Sequence, residues 1–360
     1  MGLEELGFSD FFAREEHVSG ENGLIPARVI AASNGIYTVK GEFFEVDAQA
    51  TGKLLFDAET TEALPAVGDW VNIMLVDGGN RGVIHGVLPR KTVLVRKSAG
   101  KQTSGQIIAA NVDYVFIVQG LDGNFNLRRL ERYLIAVESG GAEPVVILSK
   151  SDLLTGEEAA EKVREAAEIA QGARVHLVSS ITGSGVDTVR DYLKSGMTVC
   201  FIGSSGVGKS TLINELAGED LLATAEVRSK DSKGRHTTSR RSLVLLPSGG
   251  MVIDTPGMRE FGLWNAAEDV GEAFPEIAEM APQCRFSDCT HTVEPKCAVK
   301  AAVDEGGISE GRYQSYLKLI REANYIAEKK LEGTYKSKER RELRHRKKIL
   351  KEVYKLKGRQ

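Results

Sequence analysis

The stretch Gly203-Ser204-Ser205-Gly206-Val207-Gly208-Lys209-Ser210 fits the pattern G-x-x-x-x-G-K-[ST]. Its flanks matter as much as its letters. Before it, Met197-Thr-Val-Cys-Phe-Ile202 is a short apolar run of strand formers; after it, Thr211-Leu-Ile-Asn-Glu-Leu-Ala217 reads as a helix stopped by Gly218. Strand, glycine-rich turn and helix is the setting in which backbone N–H groups, backed by the positive end of a helix dipole, wrap phosphate. There Lys209 would reach the β and γ phosphates of a nucleotide, Ser210 would hold Mg²⁺, and Thr211 would continue the cradle. Residues 106–262 alternate strands with helices around this stretch, which implies a mainly parallel sheet covered on both faces.

Three more segments bear on a nucleotide. Gly250-Met-Val-Ile-Asp254-Thr-Pro-Gly257 places Asp254 at the end of an apolar strand, as a second Mg²⁺ carboxylate, with the Gly257 N–H facing the γ phosphate. The polar loop Lys233-Gly-Arg-His236-Thr237-Thr238-Ser239 offers a switch threonine, Thr237 or Thr238, that ligates Mg²⁺ only while the γ phosphate holds the loop. Pro144-Val-Val-Ile-Leu-Ser149-Lys150-Ser-Asp152 is a buried strand followed by a tetrad like Asn-Lys-x-Asp. The Asp152 carboxylate can accept two hydrogen bonds from guanine N1 and N2, a donor pair adenine lacks, while the Lys150 stem covers the base face. Ser149 stands where the usual motif has an amide, a departure that bears on affinity. Ser179-Ser180-Ile181 matches the weaker last guanine motif.

Order is the second clue. The base-reading segments precede the phosphate loop, whereas ordinary GTPases run the other way. The expectation is a circularly permuted GTPase, a rearrangement tolerated where termini lie close together at a surface. Met258 follows Gly257 and cannot orient an attacking water, so His236 stands as the candidate substitute, with a solvated loop histidine as the plain alternative.

Three of the four cysteines fall in one window, Cys284-x₄-Cys289-x-His291-x₅-Cys297. Three thiolates and an imidazole satisfy one tetrahedral Zn²⁺ with no open position, so the expected site is structural. Cys200, inside the strand before the phosphate loop, reads as a core residue. No apolar run is long enough to span a membrane, and no signal peptide is visible, so the expected location is cytoplasmic.

The rest of the chain is organised around that centre. Residues 1–21 read as an amphipathic helix anchored by Leu3, Leu6, Phe8, Phe11 and Phe12. Residues 22–95 hold short strands over Ala27–Ala31, Gly35–Lys40, Phe43–Asp47, Trp70–Val76 and Gly82–Leu88, which suits a small all-β barrel. Residues 96–105 form a polar basic linker to the GTPase domain at 106–265. A mostly helical metal-binding domain at 266–334 and a tail at 335–360 complete the chain. That tail carries twelve Lys or Arg against three Glu from Lys336 onward, in a chain whose formal net charge is −3. Charge so concentrated suits an RNA-phosphate partner.

On these residues the chain resembles the bacterial ribosome small-subunit-dependent GTPase A family. The resemblance runs from about residue 22 to about residue 330. It takes in Leu88-Pro-Arg90-Lys91, Ala110-Asn-Val-Asp113, Asn126-Leu-Arg-Arg-Leu-Glu-Arg132, the permuted nucleotide motifs, Gly234-Arg-His236-Thr-Thr and the Cys-Cys-His-Cys cluster. It implies an N-terminal OB-fold barrel, a permuted GTPase and a C-terminal zinc domain in a monomeric protein. It also implies late action in assembly of the small ribosomal subunit, contact with its rRNA, turnover stimulated by that subunit, and a hydrolytic role for His236. Ser149 and the long basic tail depart from the family pattern. Two other readings stay open on the residues: an RNA-binding scaffold that only holds GDP, and a permuted GTPase serving the large subunit or tRNA modification.

Overall fold

The computed structural model describes residues 2–14, 23–97, 105–170, 172–221, 241–254, 270, 273–321, 323–325 and 328. Contacts divide the chain into two compact units, Met1–Arg96 with Gln106–Leu263 and Lys97–Gly105 with Trp264–Gln360.

The first unit opens with five strands: β1 (Ile25–Ser33), β2 (Ile36–Lys40), β3 (Glu45–Ala50), β4 (Trp70–Val76) and β5 (Arg81–Val87). Their alternation sends Ala27, Val29, Val39, Ala48, Val71, Ile73 and Ile84 into one core. Antiparallel pairs β1–β2, β2–β3, β4–β5 and β1–β4, with the parallel pair β3–β5, close the sheet on itself. Closure removes exposed edges and gives the OB-type barrel that the resemblance implied. A short helix, α2 (Gly52–Asp57), follows β3; its Thr51 cap accepts from the Leu54 N–H at 3.1 Å.

The GTPase sheet is built from β8 (Tyr114–Gly120), β9 (Glu143–Ser149), β10 (Arg174–Val178), β11 (Thr198–Ile202), β12 (Arg241–Leu245) and β13 (Met251–Asp254). Their order is β10-β9-β8-β11-β13-β12, all parallel except β12. Helices α3 (Leu127–Glu138), α4 (Gly156–Ala170), α5 (Val186–Arg190) and α6 (Lys209–Ala217) complete the α/β layers. All five residues of β11 are buried, as a strand covered on both faces requires. Cys200 is fully enclosed there, as expected.

Barrel and GTPase share one continuous sheet, because β1 serves both. Its first residues, Ile25 to Arg28, pair with β4, while Ala31 and Ala32 pair with Ser242 and Arg241 of β12. A register shift between Val29 and Ala31 marks the point where the strand leaves the barrel.

The N-terminal segment is not the single amphipathic helix that its apolar residues suggest. It is a 3₁₀ turn at Glu4–Leu6 and one turn of helix, α1 (Asp10–Ala13), separated by Gly7 at φ +85°. A side chain at Gly7 would press on the Gly196 carbonyl at 2.8 Å, so the glycine permits both the left-handed turn and the close approach. The apolar residues bury against the body instead: Phe8 meets Trp70 edge-on with centroids 4.7 Å apart, and Leu6 and Phe12 are enclosed. Residues 15–22 lie outside the described ones.

The ends of the expected linker are strands. β6 (Val93–Lys97) and β7 (Gly105–Ala110) pair in a two-stranded sheet. The strands that flank the linker are half-buried: Leu94 and Ile108 enter the main core, and Val93 and Val95 pack with Ile107 and Ala110.

Beneath the junction of barrel and GTPase lies a buried polar hub. The fully enclosed Arg28 guanidinium donates to the Leu6 carbonyl, to the Gly68 carbonyl at 3.3 Å and to the Asn111 carbonyl at 3.0 Å. Burial lowers its pKa to about 10. Asp69 receives both prongs of Arg90, Nε on Oδ1 and Nη2 on Oδ2, each at 2.7 Å. Asn111 donates to the Gly68 carbonyl and accepts the Lys91 N–H. The motifs Leu88–Lys91 and Ala110–Asp113 therefore pin the barrel to the GTPase. Asp69→Asn, which leaves buried guanidinium groups short of a counter-charge, is expected to cost about 3 kcal/mol in urea unfolding. An unchanged midpoint would show that the hub contributes nothing.

In the second unit, α7 (Pro275–Met280), a 3₁₀ turn at Ala281–Gln283, α8 (Ala298–Asp304) and helical residues 310–321 bury Phe274, Ile277, Val299, Tyr313 and Leu317. No helix among the described residues is long and apolar enough to cross a membrane.

Candidate functional site

The phosphate loop leaves the buried strand β11 and enters α6 through three glycines in the positive-φ region: Gly203 at +146°, Gly206 at +82° and Gly208 at +92°. A Cβ on Gly203 would collide with the Val118 carbonyl, so the loop hugs the end of β8. Gly208 is the N-cap of α6, which puts the helix's unpaired N–H groups at the loop. The Lys209 ammonium donates to the carbonyls of Gly203 and Ser204, both at 2.7 Å. α6 stops as its sequence foretold, with Gly218 at φ +72° returning its N–H to the Asn214 carbonyl.

The base-reading segments reach the same end of the sheet. β8 and β9 are parallel to each other, and β8 is parallel to β11, so Ser149 and Gly203 emerge together. Ser149 is buried, and its Oγ donates to the Val207 carbonyl of the phosphate loop at 2.6 Å, with the Gln119 carbonyl at 3.2 Å. A hydroxyl has one proton, and the shorter contact takes it. Ser149 thus ties the base motif to the phosphate loop without an amide.

Lys150 follows in the left-handed conformation, φ +61°, and its ammonium pairs with Asp122. The Lys150 hydrogen bond holds the Asp122 carboxyl below the usual carboxylate range. Asp152 accepts from the Ser179 hydroxyl at 2.5 Å, and that same oxygen receives the Thr182 N–H at 3.2 Å. Ser179 is enclosed and anchored through its N–H to the Ser184 carbonyl. Asp152 is accordingly oriented from β10 while its own position comes from β9. Ser180 sits in the turn just after Ser179, and Ile181 beyond it is exposed.

β13 runs parallel beside β11, pairing Thr198 to Cys200 with Met251 to Ile253, so its terminal residue Asp254 lies at the same end of the sheet as the phosphate loop. Gly257, His236, Thr237, Thr238 and the basic tail lie outside the described residues.

In the second unit Cys284, Cys289, His291 and Cys297 bring their four ligand atoms within 4.8 Å of one another. Cys284 Sγ and Cys297 Sγ are 3.8 Å apart, and each lies 3.5 Å from His291 Nδ1. Metal–ligand bonds of about 2.3 Å to sulfur and about 2.0 Å to nitrogen put tetrahedral edges at about 3.8 Å and about 3.5 Å. Cys284, His291 and Cys297 therefore hold the spacing of three corners of one tetrahedral ion, and Cys289 Sγ lies within 4.8 Å of them as the fourth donor. Tyr313 donates to the His291 carbonyl at 2.5 Å, and Cys297 caps α8 by accepting from the Lys300 N–H at 3.5 Å.

Two neighbours of the nucleotide motifs were not legible as site residues, Asp122 and Asn124 in the loop after β8. The available signal is that an apolar strand, Tyr114–Gly120, ends in Leu-Asp-Gly-Asn at the carboxyl edge where α/β sheets bind ligands. A cavity of about 320 Å³ lined by Lys91, Asn111, Asp113, Tyr114 and Glu143 lies at the opposite ends of those strands and holds no residue of the nucleotide motifs.

The RsgA GTPase family matches residues 87–264. The small ribosomal subunit biogenesis GTPase RsgA 2 of Lactiplantibacillus plantarum is 47% identical over 313 residues, 87% of each chain. The small ribosomal subunit biogenesis GTPase RsgA of Opitutus terrae is 45% identical, over 91% of each. Among solved structures, YjeQ from Thermotoga maritima superposes with a TM-score of 0.60 at 29% identity, covering 83% of this chain and 98% of its own. YloQ, described as a circularly permuted GTPase, gives 0.57 at 25% identity, covering 85% and 97%.

Proposed function

The chain belongs to the RsgA GTPase family, and on that premise we propose that it is a late maturation factor of the small ribosomal subunit, stimulated by that subunit and released on hydrolysis. It is a circularly permuted GTPase; the subunit, the site roles and the cycle are the proposal. The subunit is taken from relatives 47% and 45% identical that are named small ribosomal subunit biogenesis GTPases, and the observation that carries the nucleotide site is the Ser149–Val207 hydrogen bond, which ties the guanine-type tetrad to the phosphate loop although the two are permuted in sequence.

In this reading Asp152, steered by Ser179, accepts from guanine, and the Lys150 stem packs on the base. The backbone of Gly203 to Ser210, with Thr211, wraps the phosphates, and Lys209 neutralises charge developing between the β and γ phosphates. Ser210, Asp254 and one of Thr237 or Thr238 would hold Mg²⁺, which supplies further charge neutralisation on the phosphates. His236 is the candidate that orients the attacking water, and Gly257 offers its N–H to the γ phosphate. The tetrahedral edge lengths, three thiolates and one imidazole suit a single structural Zn²⁺.

The barrel, the metal-binding region and the basic tail would grip rRNA, in a monomeric cytoplasmic protein. Release on hydrolysis draws support from β12. It begins directly after the candidate switch loop and hydrogen-bonds to β1, a strand of the barrel itself. A change in the switch would thus bear on the barrel through the backbone.

The test is GTP turnover with purified small subunits, with large subunits and ATP as controls. Stimulation by small subunits alone, of at least about tenfold, is the expected result. GTP binding without stimulated turnover would favour the scaffold reading instead.

A further inference from the structure

The loop joining β8 to α3 touches the candidate nucleotide site at two points that belong to different motifs. Near its start, Asp122 Oδ2 accepts the Lys150 ammonium. Two residues on, Asn124 Oδ1 accepts the Ser204 hydroxyl of the phosphate loop at 3.2 Å.

The loop is braced by further contacts as well. Arg129 donates to the Asn124 carbonyl, to Asn124 Oδ1 at 3.0 Å and to Gln119 Oε1 at 3.1 Å. Asn126 caps α3, its Oδ1 accepting the Arg129 N–H at 2.9 Å. Asp122 itself folds back over Gly120, where an added Cβ would lie 2.7 Å from Asp122 Oδ1. The carboxylate is therefore placed by the loop and by a residue with no side chain, and not by Lys150 alone.

Lys150 is held from both ends as a result. Its backbone is set at φ +61° directly after the Ser149 tether, and its ammonium is set by Asp122. A free lysine stem samples many rotamers, and a ligand that needs one of them bears the ordering cost at the moment of binding. A stem stretched between two anchors has met that cost already. Both side chains are about 30% exposed, so solvent screens the pair's charge, but its geometric role does not depend on a large Coulomb gain.

We propose that Asp122 is a positioning residue of the nucleotide site: by holding the Lys150 ammonium it presets the stem that packs on the guanine ring, and so sets how long the nucleotide stays. This rests on the reading of Ser149–Asp152 as the base site.

The experiment follows release of a fluorescent GDP analogue from the full chain, chased with unlabelled GDP. Asp122→Asn, isosteric but uncharged, is expected to speed release roughly fivefold, the cost of re-ordering one freed lysine stem against the base. Lys150→Met is expected to do about the same. The double variant should release no faster than either single one, because both remove one contact; a purely structural role for Asp122 would instead make the two effects multiply. Asp122→Asn release within twofold of wild type, or multiplied effects in the double variant, would overturn the proposal. Should Asp122→Asn not fold, unchanged release from Lys150→Met overturns it from the other side. Failure of the base-site reading would show earlier and differently: the unaltered protein would not prefer the GDP analogue over its ADP counterpart.

Discussion

Lys209→Ala is expected to lower GTP turnover by at least about a hundredfold, with folding intact. The magnitude is that of removing one preorganised charge stabiliser from a transition state. The loop delivers this cation by construction. Gly208 begins α6, Lys209 is the first helical residue, and its ammonium rests on the Gly203 and Ser204 carbonyls of the same loop. Loss of the side chain leaves the glycine backbone and the Ser149 tether in place, so the effect belongs to chemistry and phosphate binding more than to stability. Single-turnover GTP hydrolysis, read beside the melting temperature, separates the two. Turnover within a few-fold of the unaltered protein would sink the assignment of this loop to catalysis.

How far the sequence reveals this depends on how local each feature is. The phosphate loop is legible because strand, turn and helix lie within about twenty residues and each glycine meets a backbone demand. The barrel strands are legible from alternation, and the structure shifts their ends by only a residue or three, as at Gly82–Leu88 against β5 at Arg81–Val87. Long-range pairing is not. Nothing in Ala31 or Ala32 announces a partner at Ser242 and Arg241, so the seam joining barrel to GTPase is invisible in one dimension. The N-terminal segment misleads for a related reason. Its apolar residues are spaced closely enough to mimic a helix face, yet they fill the surface around Trp70, and Gly7 turns the chain. Arg90 and Asn111 stand out within short motifs, but their role needs Arg28, Gly68 and Asp69 brought beside them. Ser149 is the instructive letter. Read alone it is a lost amide; in the fold its hydroxyl reaches the Val207 carbonyl and keeps the tether.

The second large effect concerns the metal. The candidate zinc would hold together a short stretch with little core of its own. Between Gln283 and Ala298 the chain has no regular helix or strand, and it turns at His291 and Lys296 with positive φ, 59° and 60°. Such turns, strained for residues other than glycine, persist only where something over-determines them. Four ligands converging on one ion would supply that constraint, and structural Zn²⁺ sites in zinc-finger peptides carry about 10–16 kcal/mol of apparent binding energy at neutral pH. Small units with limited cores depend on such staples. Chelation, or Cys297→Ser, is therefore expected to release one metal ion per chain and raise hydrogen exchange across residues 275–321 by several orders of magnitude. Cys297 is the more telling substitution, because its sulfur both completes the ligand set and caps α8. Residues 106–221, whose core is built from β8, β9 and β11 with the helices around them, are expected to keep their exchange pattern and their nucleotide binding. Metal content measured beside exchange distinguishes the alternatives. A Cys297→Ser protein that retains its ion, or one that loses it without faster exchange over 275–321, would show that this cluster does not hold the region together.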